Sequence, residues 1–157
     1  MTNMELEHQI TRLNSRYVQC IDEDRLEEWP GFFVEDGTYI IFPRENYEAG
    51  LEGYWMYCAS GAMMRDRIKA LREVNVYNIH YDRHLLSNVV VQGEDDGVYE
   101  VRANYAVVQT DVEGRCHMFS TGQYRDKIVK VGDEMKFKEK IVIVDSFNID
   151  RPLAVPF

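Results

Sequence analysis

Apolar residues recur in two periods along this chain, and the change of period divides it. Near the N-terminus Leu6, Ile10, Leu13 and Tyr17 alternate steps of four and three, which predicts an amphipathic helix over about Met4 to Ile21. A second, short helix is predicted over Arg25–Phe33, kinked or reduced to two turns by Pro30. Asp36-Gly37 then reads as a turn before a strand, Thr38–Phe42. The stretch from Pro43 to Gly61 is irregular, with one short strand near Tyr54. A third helix is predicted over Ser60–Val74, with Met64, Ile68 and Leu71 as its apolar stripe.

After Asn78 the pattern becomes strand-like. Turn signals at residues 93–97, Glu113-Gly114 and Gly132-Asp133 separate four long runs: Tyr81–Gln92, Val98–Asp111, Cys116–Val131 and Met135–Ile149. Helices followed by an antiparallel meander predict one α+β domain over residues 1–157, with the helices covering one face of a curled sheet. Long, curved strands suggest a cone with a concave side. Strict alternation in the last strand places Met135, Phe137, Glu139, Ile141, Ile143, Asp145 and Phe147 on one face. Lys136, Lys138 and Lys140 fall on the other, together with Val142 and Val144.

Charge and cysteine count narrow the partners. The net charge is −9, and the first 80 residues carry 8 basic and 14 acidic side chains against 10 and 13 in the rest. No basic half exists to bind nucleic acid or an anionic membrane. Cys20, Cys58 and Cys116 are odd in number and widely spaced, which argues against a disulfide framework and fits a reduced cytoplasm. The N-terminal MTNMELEHQI lacks the basic start and apolar core of a signal peptide, and no apolar run approaches a membrane span.

The stretch NVYNIHYDRHLLSNVVV holds His80, Asp82 and His84, the donor types of a non-haem iron or zinc site. Local structure decides whether they converge. Residues four apart lie about 6 Å apart along a helix but about 13 Å apart along a strand. Imidazole nitrogens must come within about 2 Å of zinc. The flanking residues favour extended structure, so these histidines are expected to be hydrogen-bonded in or beside a core. Cys116-His117 is a single adjacent pair and does not supply the two Cys/His pairs of a Rieske cluster. No nucleotide loop or nucleophile elbow is present.

The alternation leaves Glu139 and Asp145 interrupting an apolar face. Buried carboxylates need partners, and Arg83, Arg102 and His84 are the candidates on neighbouring strands. The preferred reading is a structural or inter-subunit ion pair; the functional one is an acid/base pair in a cone-shaped pocket. The apolar C-terminal RPLAVPF, with two prolines, is expected to dock against this chain or a partner.

Five strings occur in order: WPGFFVEDGTYII, RIKALREVNVY, YDRHLLSNV, FSTGQYRDK and FKEKIVIVDS. Together they resemble the small (beta) subunit of bacterial aromatic-ring-hydroxylating dioxygenases, nearest the branch acting on aromatic acids. The resemblance implies a cystatin-like cone, the fold of nuclear transport factor 2, scytalone dehydratase and ketosteroid isomerase. It also implies a trimer of large/small subunit pairs. The Rieske 2Fe-2S cluster and a mononuclear Fe(II) would belong to the large (alpha) subunit, and the small subunit would be structural, without cofactor, metal or catalytic residue of its own. Arg83, His84, Asn88, Arg102, Glu139 and Asp145 are then scaffold or interface residues. The competing class is a stand-alone cone enzyme, a dehydratase or isomerase, in which His84 works with Asp145 or Glu139, helped by Tyr39 or Tyr105. A ligand-binding module with the same pocket is the third.

Overall fold

The structure, a computed structural model, describes residues 2–73, 79–146 and 155–157. Helix α1 spans Asn3–Asp22 and opens on a reciprocal cap: Thr2 Oγ1 accepts from the Glu5 N–H at 3.2 Å, and the Glu5 carboxylate accepts from the Thr2 N–H at 2.7 Å. Its inward stripe is Ile10, Leu13, Tyr17 and Ile21. After a gap of three residues, Leu26–Phe32 form a 3-10 helix, the tighter winding that accommodates Pro30. Strand β1 (Phe33–Pro43) starts five residues before the predicted strand, because the Asp36-Gly37 dipeptide lies within an irregularity of the strand. A single turn, α2 (Arg44–Glu48), then β2 (Met56–Cys58) and α3 (Gly61–Glu73) follow. The short strand expected near Tyr54 is therefore β2. Val74, predicted as the end of α3, lies outside the described residues.

The four long strands are β3 (His80–Asp95), β4 (Val98–Asp111), β5 (Cys116–Val131) and β6 (Glu134–Val144). The sheet order is β2-β1-β6-β5-β4-β3. The expected meander is present, but the sheet is mixed, since β1 runs parallel to β6. It curves around the helices without closing into a barrel. Gly122 lies at the tightest approach: a Cβ there would sit 2.0 Å from the Ile143 carbonyl oxygen and 2.9 Å from the Tyr105 ring. Among the described residues no helix is long and apolar enough to cross a membrane.

One bulge overturns the predicted faces of β6. Glu139 pairs with Lys127, but Phe137 pairs with Ile128, so Lys138 has no opposite number on β5. An extra residue shifts alternation by one. Met135 and Phe137 face the core before the bulge; Lys140, Val142 and Val144 face it afterwards. Glu139 and Ile141 therefore turn to the convex face, and Val142 and Val144, expected there, are fully buried. The strand ends at Val144; the rest of the predicted run, from residue 147, lies outside the described residues.

Candidate functional site: the interior of the cone

The concave side is an aromatic core with polar groups embedded in it. Tyr17 from α1, Trp29 from the 3-10 helix, Phe33 and Tyr39 from β1 and Phe137 from β6 meet mostly edge to face, with centroids 5.0–6.4 Å apart. On the β4–β5 side Tyr105 and Tyr124 stack at 4.8 Å and 9°. Tyr17, Tyr39 and Tyr124 are fully buried. Burial pushes the phenols of all four tyrosines, Tyr17, Tyr39, Tyr105 and Tyr124, well above their ordinary range, so they act as neutral hydroxyls. The Tyr105 hydroxyl lies 3.0 Å from Ser120 Oγ. The Tyr124 hydroxyl has no hydrogen-bond partner among the described residues.

Two buried polar pairs are embedded in this core, one of them an ion pair. Lys140 Nζ lies 2.9 Å from Asp126 Oδ2, both side chains being fully buried. The ammonium also sits over the rings of Tyr124, Phe137 and Tyr17, 3.8, 4.3 and 4.7 Å from their centroids. Burial pushes the Asp126 carboxyl up to about 6 against the pull of Lys140. The same burial lowers Lys140 against the pull of Asp126. The second pair joins α1 to β3: His84 Nδ1 lies 2.6 Å from Asp22 Oδ1, and the His84 N–H donates to Asp22 Oδ2 at 2.9 Å. The His84 ring is fully buried, and its Nε2 has no hydrogen-bond partner among the described residues.

The core also holds the last residue of the chain. Phe157 is 1% exposed. Its ring lies 6.0 Å from Tyr105, nearly parallel, and 5.7 Å from Phe119. Its N–H donates to the Tyr39 hydroxyl at 2.8 Å, and its main-chain oxygen accepts from Tyr17 at 2.5 Å and Tyr39 at 3.2 Å. The C-terminal residue thus docks into this chain itself; residues 151–154 lie outside the described part.

The structure does not gather the other residues singled out from the sequence. Glu139 is 27% exposed and pairs with Lys127 at 3.0 Å, not with Arg83 or Arg102. Asp145 is at the surface, paired with Arg44 and accepting from Thr121 Oγ1 at 3.2 Å. Neither carboxylate reaches His84, whose partner is Asp22. Arg83 is exposed and donates to the Asp82 carbonyl at 2.9 Å, and Arg102 on the convex face approaches Gln123 at 3.4 Å. Asn88 is an exposed residue with φ 53° inside the β3 irregularity, a conformation asparagine tolerates better than most side chains. Of the proposed helpers, Tyr39 and Tyr105 do line the interior.

Among the described residues, donor chemistry offers no place for iron. His84 spends Nδ1 on Asp22, and His80 Nε2 lies 3.6 Å from Asp82, which itself accepts from Gln109 at 3.1 Å. Cys20 and Cys58 are buried, and Cys116 is exposed beside Thr110. Among the described residues no three His, Cys, Asp or Glu side chains converge. The set does not fit a Rieske cluster or a mononuclear iron.

Asp22, Asp126, Lys140 and Phe157 were not marked as site residues by sequence. Asp22 and His84 are 62 positions apart, and nothing local joins them. Lys140 was hidden by the bulge.

The SnoaL-like domain profile matches residues 2–140. The small subunit of anthranilate 1,2-dioxygenase from Burkholderia cepacia is 38% identical over 94% of this chain and 92% of its own length. The chain belongs to the beta subunits of aromatic-ring-hydroxylating dioxygenases. A beta subunit of terephthalate 1,2-dioxygenase from a Comamonas species is 33% identical over 96% of this chain and 97% of its own. A crystal structure of a beta subunit assigned to an aromatic-ring-hydroxylating dioxygenase of Novosphingobium aromaticivorans superposes with a TM-score of 0.89. It is 35% identical, with 98% of each chain covered. The beta subunit of benzoate 1,2-dioxygenase from Burkholderia mallei, 19% identical with a TM-score of 0.68 over 87% of this chain and 88% of its own, shares the fold. As a beta subunit, this chain is one component of an oxidoreductase and works with a large subunit.

Proposed function

We propose that this chain is the structural, non-catalytic subunit of a cytoplasmic dioxygenase acting on an aromatic acid. The Rieske cluster and mononuclear Fe(II) would then reside in the large subunit, and three large/small pairs would form the assembly. The observation that carries this reading is the filled interior: Phe157 occupies the concave side, Lys140 is paired with Asp126, and His84 is hydrogen-bonded to Asp22. The aromatic-acid assignment rests on relatives named for anthranilate and terephthalate.

The convex surface supports the role of an assembly subunit. Tyr81, Leu85 and Val90 on edge strand β3 are 59%, 58% and 48% exposed, and Met118 on β5 is 58% exposed. In register, Arg83, Val108 and Met118 form one row and Leu85, Ala106 and Thr121 another. Apolar side chains grouped on an open sheet face suit burial by another subunit. Arg83, Asn88, Arg102, Glu139 and Asp145 surround or share that outer surface and suit a polar rim.

One observation favours a second reading, a stand-alone cone enzyme: a buried His84–Asp22 pair with Nε2 unsatisfied has the arrangement of a general base and its orienting carboxylate. Co-expression with the large subunit separates the two. Under the structural reading, light scattering gives a hetero-oligomer containing three copies of each chain, iron follows the large subunit, and His84→Ala alters assembly or stability without changing turnover per assembled iron. Turnover of a small substrate by this chain alone, lost in His84→Ala, would establish the second reading instead.

A further inference from the structure

We propose that Arg102 and Arg125 form a socket on the convex face for one acidic side chain of the large subunit. The proposal rests on the reading of this chain as a beta subunit and names a contact for it. The two arginines are register partners on β4 and β5. Opposite positions of an antiparallel pair hold their Cβ atoms about 4.5–5.5 Å apart, and like charges so placed are destabilising. Yet no carboxylate of this chain answers them: among the described residues neither guanidinium enters an ion pair. Arg102 approaches Gln123 Oε1 at 3.4 Å, and Arg125 Nε is buried without a hydrogen-bond partner among the described residues.

The register shows why the carboxylates nearby do not serve. One row across the sheet runs Val90, Arg102, Arg125, Ile141, so apolar side chains bracket the two cations. In the next row Lys127 stands between Glu100 and Glu139 and pairs with Glu139 at 3.0 Å. The bulge in β6 is what brings Ile141 and Glu139 to this face. Tyr47 from α2 and Gln92 from β3 complete the lining of a recess of about 290 Å³ around the arginines. Paired guanidiniums beside a tyrosine ring and an apolar border have the composition of an interface anchor.

The chemistry of the recess selects its occupant. Guanidinium forks hold a carboxylate through parallel N–H···O bonds, and the charge that faces them must be negative. The recess, about 290 Å³ and open to solvent, lies below the about 300–1,000 Å³ of small-molecule sites, and takes one side chain of an opposing surface. A second small subunit meeting this face about a two-fold axis would set arginine pair against arginine pair, between chains of net charge −9. An aspartate or glutamate of the large subunit fits instead.

The test compares the complex of the full chain with its large subunit across arginine variants, reading the dissociation constant by sedimentation. Arg102→Gln and Arg125→Gln keep the side-chain stem and remove the charge; each should weaken the complex about tenfold or more. Arg125→Glu, which repels a carboxylate, should weaken it further than Arg125→Gln. Arg12→Gln removes an exposed charge on α1 and should leave the complex unchanged. The isolated Gln variants should melt no lower than the isolated parent, because each relieves two facing like charges. A lower melting temperature would mean that the arginines serve this chain's own fold, and overturns the proposal. So do Gln variants that assemble like the parent, Arg125→Glu no weaker than Arg125→Gln, an equal loss in Arg12→Gln, or a loss of self-association in place of the large subunit. A parent chain that forms no complex with the large subunit refutes the beta-subunit reading itself, and the proposal with it.

Discussion

Lys140→Met is the most informative perturbation of the core. Lys140 is a fully buried cation paired at 2.9 Å with a fully buried carboxylate. Methionine has nearly the same length and volume and keeps the contacts over Tyr17, Tyr124 and Phe137. What it removes is the charge, leaving Asp126 buried without a counter-ion; Asp126 Oδ1 already lacks a hydrogen-bond partner among the described residues. Breaking a buried pair from one side typically costs about 3–5 kcal/mol. That is a large part of the roughly 5–15 kcal/mol that holds a typical domain together, and corresponds to a fall in melting temperature on the order of 10 °C for a chain of this size. Adding Asp126→Leu removes the orphaned carboxylate. The double variant should return to within about 1 kcal/mol of the parent or exceed it, because apolar replacements of buried pairs are often neutral or stabilising. Urea unfolding followed by tryptophan fluorescence, at fixed protein concentration, gives both numbers. A Lys140→Met variant within about 1 kcal/mol of the parent, or a double variant no more stable than the single one, would refute the reasoning.

The remaining expectations are quicker to check. Glu139→Ala should cost less than about 1 kcal/mol, because its pair with Lys127 is partly solvated; a loss comparable to Lys140→Met would return Glu139 to the core. Asp126, raised to about 6, contributes most to stability near pH 4 and loses that contribution as pH rises through 6. The stability of the parent relative to Asp126→Asn should therefore increase from pH 7.5 to pH 5, and a fall measured by urea unfolding at the two pH values would contradict the assignment. Cys116 is exposed, whereas Cys20 and Cys58 are buried and burial pushes the Cys20 thiol up to about 11. Alkylation of the native chain, read by peptide mass spectrometry, should label Cys116 well before the other two.

The periodicities of the sequence determined a good deal. The heptad-like stripe of α1, the Met64-Ile68-Leu71 stripe of α3 and the turn signals at residues 93–97, 113–114 and 132–133 each depend on neighbours within a few positions, so local physics decides them. The class, helices packed on a curved sheet of long strands, followed. The expectation that His80 and His84 do not chelate rests on the same local physics, because a strand holds residues four apart too far from one another. The five ordered strings carried the family.

Tertiary structure decided everything that depends on register or on distant segments. Alternation along β6 predicts Glu139 and Asp145 inside and Lys140 outside; a single unmatched residue, Lys138, reverses this. No local signal announces a bulge that arises where β6 must follow both β1 and β5. The parallel pairing of β1 with β6 joins segments about 100 residues apart and likewise has no local mark. His84 finds its carboxylate on α1, and Phe157 finds its place among tyrosines from α1, β1 and β4. These are long-range choices, made because a buried polar group must be satisfied and an apolar ring must be covered, and only the folded chain brings the partners within reach.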